Sequence, residues 1–174
     1  MEKQALEFAR KAHGDQQRKY SEEAYIEHPI RVAELVRSVT HTPEMICAAY
    51  LHDVVEDTPV SLQDIERKFG GKIAALVEEL TDEFEKKNYP HLNRQQRKQK
   101  EVERQAKMST EAKTIKLADV IDNTRDILKN DPGFARKYIR EMEALTEALQ
   151  GGDFQLLMRA CYEVQRGIIQ LKKN

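Results

Sequence analysis

The stretch AAYLHDVVEDTP, residues 48–59, carries an apolar run, Ala48-Ala49-Tyr50-Leu51, straight into His52-Asp53 and then Glu56-Asp57. A helix normally keeps its charged side chains on the wet face. Here a histidine and three carboxylates fall within six residues, directly after a segment that reads as core. On a helix, Asp53 precedes Glu56 and Asp57 by three and four residues, so the three carboxylates share one face, with His52 beside Glu56. Like charges gathered this way are costly unless a cation or a proton offsets them. A divalent metal is the simplest offset. A solvated acidic helix end is the plainer reading of these six residues alone.

The rest of the chain supplies the setting. Its 174 residues suffice for one domain with a real core, taken here as residues 1–174. A net charge of −1 disfavours a general nucleic-acid binder, which would show a basic excess. Cys47 and Cys161 lie far apart in apolar-patterned segments, so buried thiols are expected rather than a disulfide or a zinc knot. The N-terminus has no apolar leader and no run approaches membrane-spanning length, so a cytoplasmic protein without a membrane partner is expected. Nothing in the sequence fixes an oligomeric state.

Helical spacing dominates the pattern. It predicts helices over 3–13, 29–39 (with Pro29 as first residue, just after His28) and 43–56. Ser61 with Asp64 caps a short fourth helix, and Gly70-Gly71 separates it from 72–81. A loop to about Leu92 leads to a charged helix over 93–107. Ser109 or Thr110 caps the next, and 133–150 and 153–172 follow, split by Gly151-Gly152. No strand is convincing. The fold class is all-α, a helical bundle of about eight helices. Residues 84–111 hold eight Lys/Arg against four Glu. A solvated helix face is the expected reading of 86–107, and screening of a polyphosphate chain is the alternative.

Two further places bear on the acidic cluster. His28 stands before Pro29 in YIEHP, and Asp119 follows Leu117-Ala118 inside a helix. Each alone reads as ordinary. Together His28, His52, Asp53 and Asp119 make a two-imidazole, two-carboxylate set, which suits Mn²⁺ or Fe²⁺ better than an all-oxygen or thiolate site. Four protein ligands leave room on a six-coordinate ion for water and a substrate oxygen, the arrangement for metal-assisted hydrolysis. Glu56 and Asp57, one turn on, could orient that water or move protons.

The order His28, His52-Asp53, Asp119 resembles the H…HD…D signature of the HD-domain metal-dependent phosphohydrolases. More narrowly, YIEHP, YLHDVVEDT, FGGKIAALVEELTD and KLADVIDNTRD are similar to the hydrolase domain of RelA/SpoT proteins and their stand-alone relatives, the small alarmone hydrolases. The similarity spans about residues 5–150. It implies an HD-domain helical bundle with one Mn²⁺ held by His28, His52, Asp53 and Asp119. It implies Glu56 and Asp57 as the catalytic pair handling the attacking water. The implied reaction removes pyrophosphate from the ribose 3′ position of guanosine tetra- or pentaphosphate.

The resemblance also implies substrate-binding roles. Arg18 and Lys19, in GDQQRKY, match a pair beside base and phosphates; Asn123 and Tyr138 match an asparagine and a tyrosine in the nucleotide site. Read without the family, Arg18 and Lys19 are solvated loop cations and Tyr138 is a core or rim tyrosine. The chain departs from the family at Val120, Asp122 and Asp126, which bears on base and phosphate preference. With no synthetase segment after the helices, an alarmone enzyme of this kind is expected to be a hydrolase only. The rival readings are the same chemistry on (p)ppApp, NADPH or a nucleoside monophosphate, and a catalytically silent nucleotide-binding protein.

Overall fold

Ten helical segments carry the described residues, 1–19 and 21–173 (the side chain of Lys173 excepted), of the computed structural model. They are α1 (Glu2–His13), α2 (Glu27–Arg37), α3 (Pro43–Leu51), α4 (Val54–Asp57), α5 (Leu62–Phe69), α6 (Gly71–Leu80), α7 (Arg94–Gln105), α8 (Thr110–Asn130), α9 (Pro132–Ala148) and α10 (Phe154–Lys173). Among the described residues, extended pairing is confined to an isolated bridge between Gln17 and Ala24. No helix among the described residues is long and apolar enough to cross a membrane. Cys47 is buried and Cys161 half-buried, and both are free thiols.

Local chemistry sets most of the boundaries. Thr42 caps α3 by accepting from the Met45 N–H, with Pro43 following where a missing N–H costs nothing. Ser61 and Asp64 form a reciprocal capping box at α5, and Asn93 and Gln96 form a second at α7. Helix α2 begins at Glu27, two residues before the proline, so His28 lies inside the first turn and not ahead of it. Pro29 is tolerated there because the first four N–H groups of a helix have no intrahelical acceptor.

Helices α3 and α8 form the centre. Every α3 residue from Met45 to Leu51 is buried, and α3 packs on α1, α2, α6 and α8. Each large side chain so buried contributes about 2 kcal/mol, which anchors the helix end bearing His52. The 21-residue α8 packs on α2, α3, α6, α9 and α10 and buries Asp119 and Asp122 with its apolar residues. Gly152 lets the α9–α10 turn press onto α8: a Cβ there would lie 2.9 Å from Leu117 Cδ1 and 3.1 Å from Lys113 Cβ.

Two expectations are corrected. The helix predicted over 43–56 is divided: α3 stops at Leu51, His52 and Asp53 form a turn, and α4 is a single turn. The direction persists, because both residues stay near right-handed helical angles and the Asp57 N–H still reaches the Asp53 carbonyl at 2.9 Å. Nor is α7 simply a solvated helix. Glu101 and Gln105 on it are buried, and Glu101 Oε2 accepts the Glu83 and Phe84 N–H groups, each at 3.0 Å.

Candidate active site

The first turn of α2, the α3–α4 junction and the middle of α8 converge on one point. One ligand atom each from His28, His52 and Asp119 lies within 4.8 Å of the others, and all three residues are buried. Asp53 closes the group: its Oδ2 is 3.1 Å from His52 Nε2 and 3.5 Å from His28 Nε2. Asp119 Oδ1 is 3.2 Å from His28 Nε2 and 3.8 Å from His52 Nε2.

Both imidazoles are oriented from behind. His52 Nδ1 lies 2.8 Å from the Ala49 carbonyl, which can only accept, so Nδ1 bears the proton and Nε2 faces the site. His28 Nδ1 lies 2.7 Å from Asp122 Oδ2, with the same consequence. His52 Nε2 is buried without a hydrogen-bond partner, although two carboxylate oxygens stand near it. A buried nitrogen lone pair facing two carboxylates is a donor set that fits a divalent cation.

The electrostatics of the metal-free protein agree. Burial alone would lower the His28 and His52 pKa values, but Asp119, Asp122 and Asp53 raise that of His28, and Asp53 and Asp119 raise that of His52 strongly. Burial likewise opposes ionisation of Asp53 and Asp119, yet neighbouring His52 for the first, and Lys116 and the imidazoles for the second, hold both carboxyls low. The grouping therefore favours positive charge between these carboxylates, whether as imidazole protons or as a cation.

Around this core stand residues to which sequence reasoning assigned no part at the candidate metal site, Asp122 having been read only as a departure bearing on base and phosphate preference. The Tyr25 hydroxyl donates to Asp53 Oδ2 at 2.6 Å, Lys116 Nζ sits 3.0 Å from Asp119 Oδ2, and Asp122 backs His28. Lys116 and Asp122 were accessible as helical neighbours, flanking Asp119 by three residues on α8, whereas Tyr25 lies in the turn before α2, where no helical period points to it. Glu56 Oε2 accepts the Asp82 N–H at 3.2 Å. Burial, then the charges of Asp82 and Asp53, push its carboxyl up to about 7. Asp57 is exposed, and partial burial and Asp53 raise its pKa as well.

A cleft of about 1200 Å³ opens over the centre. Asp53, Glu56, Asp57 and Asp119 line it together with Lys98 of α7 and Arg136, Lys137 and Arg140 of α9. Asn123 and Tyr138 also line it, and Asn123 Nδ2 donates to Asp119 Oδ1 at 2.5 Å. Arg18 is held beside the cleft, donating to Asn123 Oδ1 at 2.8 Å and through Nε and Nη2 to Asp126 Oδ2. Lys19 is exposed next to it and does not line the cleft. The cationic segment therefore divides: Lys98 faces the cleft beside Asp82, while Arg104 is turned into the fold against Glu101 and the carbonyls of Glu79 and Thr81.

Fold and site together define an all-helical protein with a buried His–His–Asp cluster able to hold a metal ion beneath a mixed-charge cleft. The chain belongs to the HD-domain family, whose model matches residues 5–146. It is 40% identical over 132 residues to the Drosophila melanogaster guanosine-3′,5′-bis(diphosphate) 3′-pyrophosphohydrolase MESH1, covering 74% of this chain and 70% of the fly protein. The human MESH1 is 37% identical over 161 residues, covering 88% and 87% of the two chains. The Escherichia coli bifunctional (p)ppGpp synthase/hydrolase SpoT is 36% identical over 145 residues, which make up 80% of this chain but 20% of SpoT. The solved structure of a metazoan SpoT ortholog that hydrolyzes ppGpp superposes with a TM-score of 0.83 at 34% identity, covering 95% of this chain and 94% of that one. The family resemblance carried by YIEHP, YLHDVVEDT and KLADVIDNTRD holds.

Proposed function

We propose that this chain hydrolyses the 3′-pyrophosphate of guanosine tetra- and pentaphosphate, releasing pyrophosphate and GDP or GTP. The observation that carries the reading is the pairing of a metal-ready cluster with cations across one cleft: Asp53 and Asp119 line it with His28 and His52 buried against them, and Lys98, Arg136, Lys137 and Arg140 line it too. The diphosphate groups of such a nucleotide offer anionic oxygens both to a cation held among the carboxylates and to these basic side chains. The MESH1 proteins named above carry the same activity in their names. A soluble nucleotide substrate supports reading the protein as a cytoplasmic enzyme.

The donor set suits Mn²⁺, two imidazole nitrogens and two carboxylates being intermediate between a magnesium and a thiolate zinc site. When bound, such an ion supplies Lewis acidity toward water and phosphoryl oxygen. The chain's own residues do the rest. Tyr25 fixes the Asp53 carboxylate, and the Ala49 carbonyl and Asp122 fix the two imidazoles. Glu56, with its carboxyl near 7, takes a proton from the attacking water and Asp57 assists. The water oxygen bonds to phosphorus, the P–O3′ bond breaks, and a proton returns to the ribose 3′ oxygen. Asn123 and Tyr138 border the nucleotide, with Arg18 and Lys19 beyond them at the base side.

The decisive assay incubates purified protein with Mn²⁺ and ppGpp and measures GDP and pyrophosphate, with Asp53→Ala as control. ppApp, NADPH and deoxynucleoside monophosphates run in parallel. The expected result is stoichiometric GDP and pyrophosphate, lost in the control, with ppGpp the best substrate. No release above the control would sink the proposal. Faster turnover of another nucleotide would reassign the substrate while keeping the metal chemistry.

A further inference from the structure

Behind His28, a chain of charged groups leads away from the metal centre to the loop that covers it. Asp122 is buried, and both of its oxygens are engaged. Oδ2 lies 2.7 Å from His28 Nδ1 and takes Arg31 Nη2 at 3.2 Å, while Oδ1 takes Arg31 Nε at 2.6 Å. The same guanidinium turns its other edge to Glu23, with Nη1 at 2.8 Å from Oε1 and Nη2 at 2.9 Å from Oε2. Arg31 is therefore forked against two carboxylates at once, a planar geometry that lysine cannot reproduce. Glu23 belongs to the loop between α1 and α2, whose hairpin-like turn is closed by the Arg18 N–H to the Glu23 carbonyl at 2.9 Å. That loop also carries Arg18 and Tyr25, the latter bound to Asp53.

We propose that Asp122 is a positioning residue that sets the affinity of the metal centre, and that Arg31 and Glu23 hold it in place. The inference rests on the reading of His28 as a metal ligand. A carboxylate accepting the Nδ1 proton locks the ring with Nε2 forward and makes that nitrogen a stronger donor. A neutral acceptor would lock the ring without the added basicity, and no acceptor would free it to rotate. The carboxylate itself must be kept from turning, which is the task of the two bonds from Arg31. Asp122 occupies one of the positions where the sequence departs from its resemblance, so this backing is a property of this chain's own residues.

The test reads metal affinity and needs no substrate. Chelator-stripped protein is titrated with Mn²⁺, and the free ion is followed by its electron paramagnetic resonance signal. Wild type should bind one equivalent, and His28→Ala should bind far more weakly. Asp122→Asn should weaken Mn²⁺ binding about 10- to 100-fold, the usual effect of losing such an outer partner. Arg31→Met should cause a smaller loss, and a purely structural role for Asp122 would instead lower the melting temperature of the stripped protein and leave affinity alone. Asp122→Asn binding within twofold of wild type would overturn the proposal, as would a wild-type protein with no Mn²⁺ site. Asp122→Asn keeps size and shape, so the result does not hang on a truncated variant folding. Failure of ppGpp hydrolysis in a wild type that binds Mn²⁺ would strike the proposed function and leave this inference standing.

Discussion

Glu56 and Asp57 are adjacent in sequence but unequal in their surroundings, and the inequality bears on the roles proposed for them. Glu56 is partly buried and faces Asp82 and Asp53, which together push its carboxyl up to about 7, while Lys116 pulls the other way. A base must be ionised to accept a proton, so the rate should rise with pH through an acid limb at or below about 7, a bound cation lowering the midpoint. Glu56→Gln should remove that limb and cut kcat by about 10²- to 10⁴-fold. A Glu56→Gln enzyme that keeps the wild-type limb would transfer the role to Asp57. The carboxylate cluster was readable in HDVVED because spacing alone puts these groups together. Their ranking was not readable, since Asp82 arrives from a turn after α6 and Lys116 from α8. Tyr25 was overlooked for a related reason: a tyrosine beside a histidine reads as ordinary packing until its hydroxyl is seen 2.6 Å from Asp53.

Helix α7 shows where element-level reading stops. Its ends were legible, Asn93 and Gln96 closing a capping box as polar residues at that spacing do. Its inner face was not, because it is polar and leaves no apolar period to follow. Glu101 is buried among the Glu83 and Phe84 N–H groups, Arg104 and Gln105, and Gln105 in turn donates to Asp82 at 3.1 Å. The helix thereby holds the turn that presents Asp82 to Glu56. Glu101→Ala would leave two backbone donors unpaired and take the carboxylate from Arg104, which keeps its two carbonyl partners, and should destabilise by about 2–3 kcal/mol. Ser61→Ala removes one exposed cap of α5 and should cost about 1 kcal/mol. Urea titration separates the two. The folded Glu101→Ala protein should also show a raised KM, whereas Ser61→Ala should keep wild-type kinetics; equal stability losses would refute the buried role of Glu101.

At the scale of the whole molecule, the candidate metal site joins α2, the α3–α4 junction and α8, three separate lengths of chain. Without a cation, two raised imidazoles hold the charge balance, and the sign of their effect follows from the shift. A histidine whose folded pKa lies above its unfolded value of 6.5 adds stability in full below that pH and loses it as pH rises through the folded value. Glu56, raised from 4.5 to about 7, acts in the same direction, since the folded state resists its ionisation. The stripped protein should therefore melt at progressively lower temperature from about pH 6.5 upward. Binding must displace the same protons, so added Mn²⁺ should stabilise more at pH 8.5 than at pH 6.5. At a hundredfold excess over its dissociation constant the gain is about 2.7 kcal/mol. Melting curves with chelator and with Mn²⁺ at the two pH values measure the difference directly. A Mn²⁺-induced gain that shrank with pH would mean the imidazoles are not the groups standing in for the ion, and would move the metal away from His28 and His52.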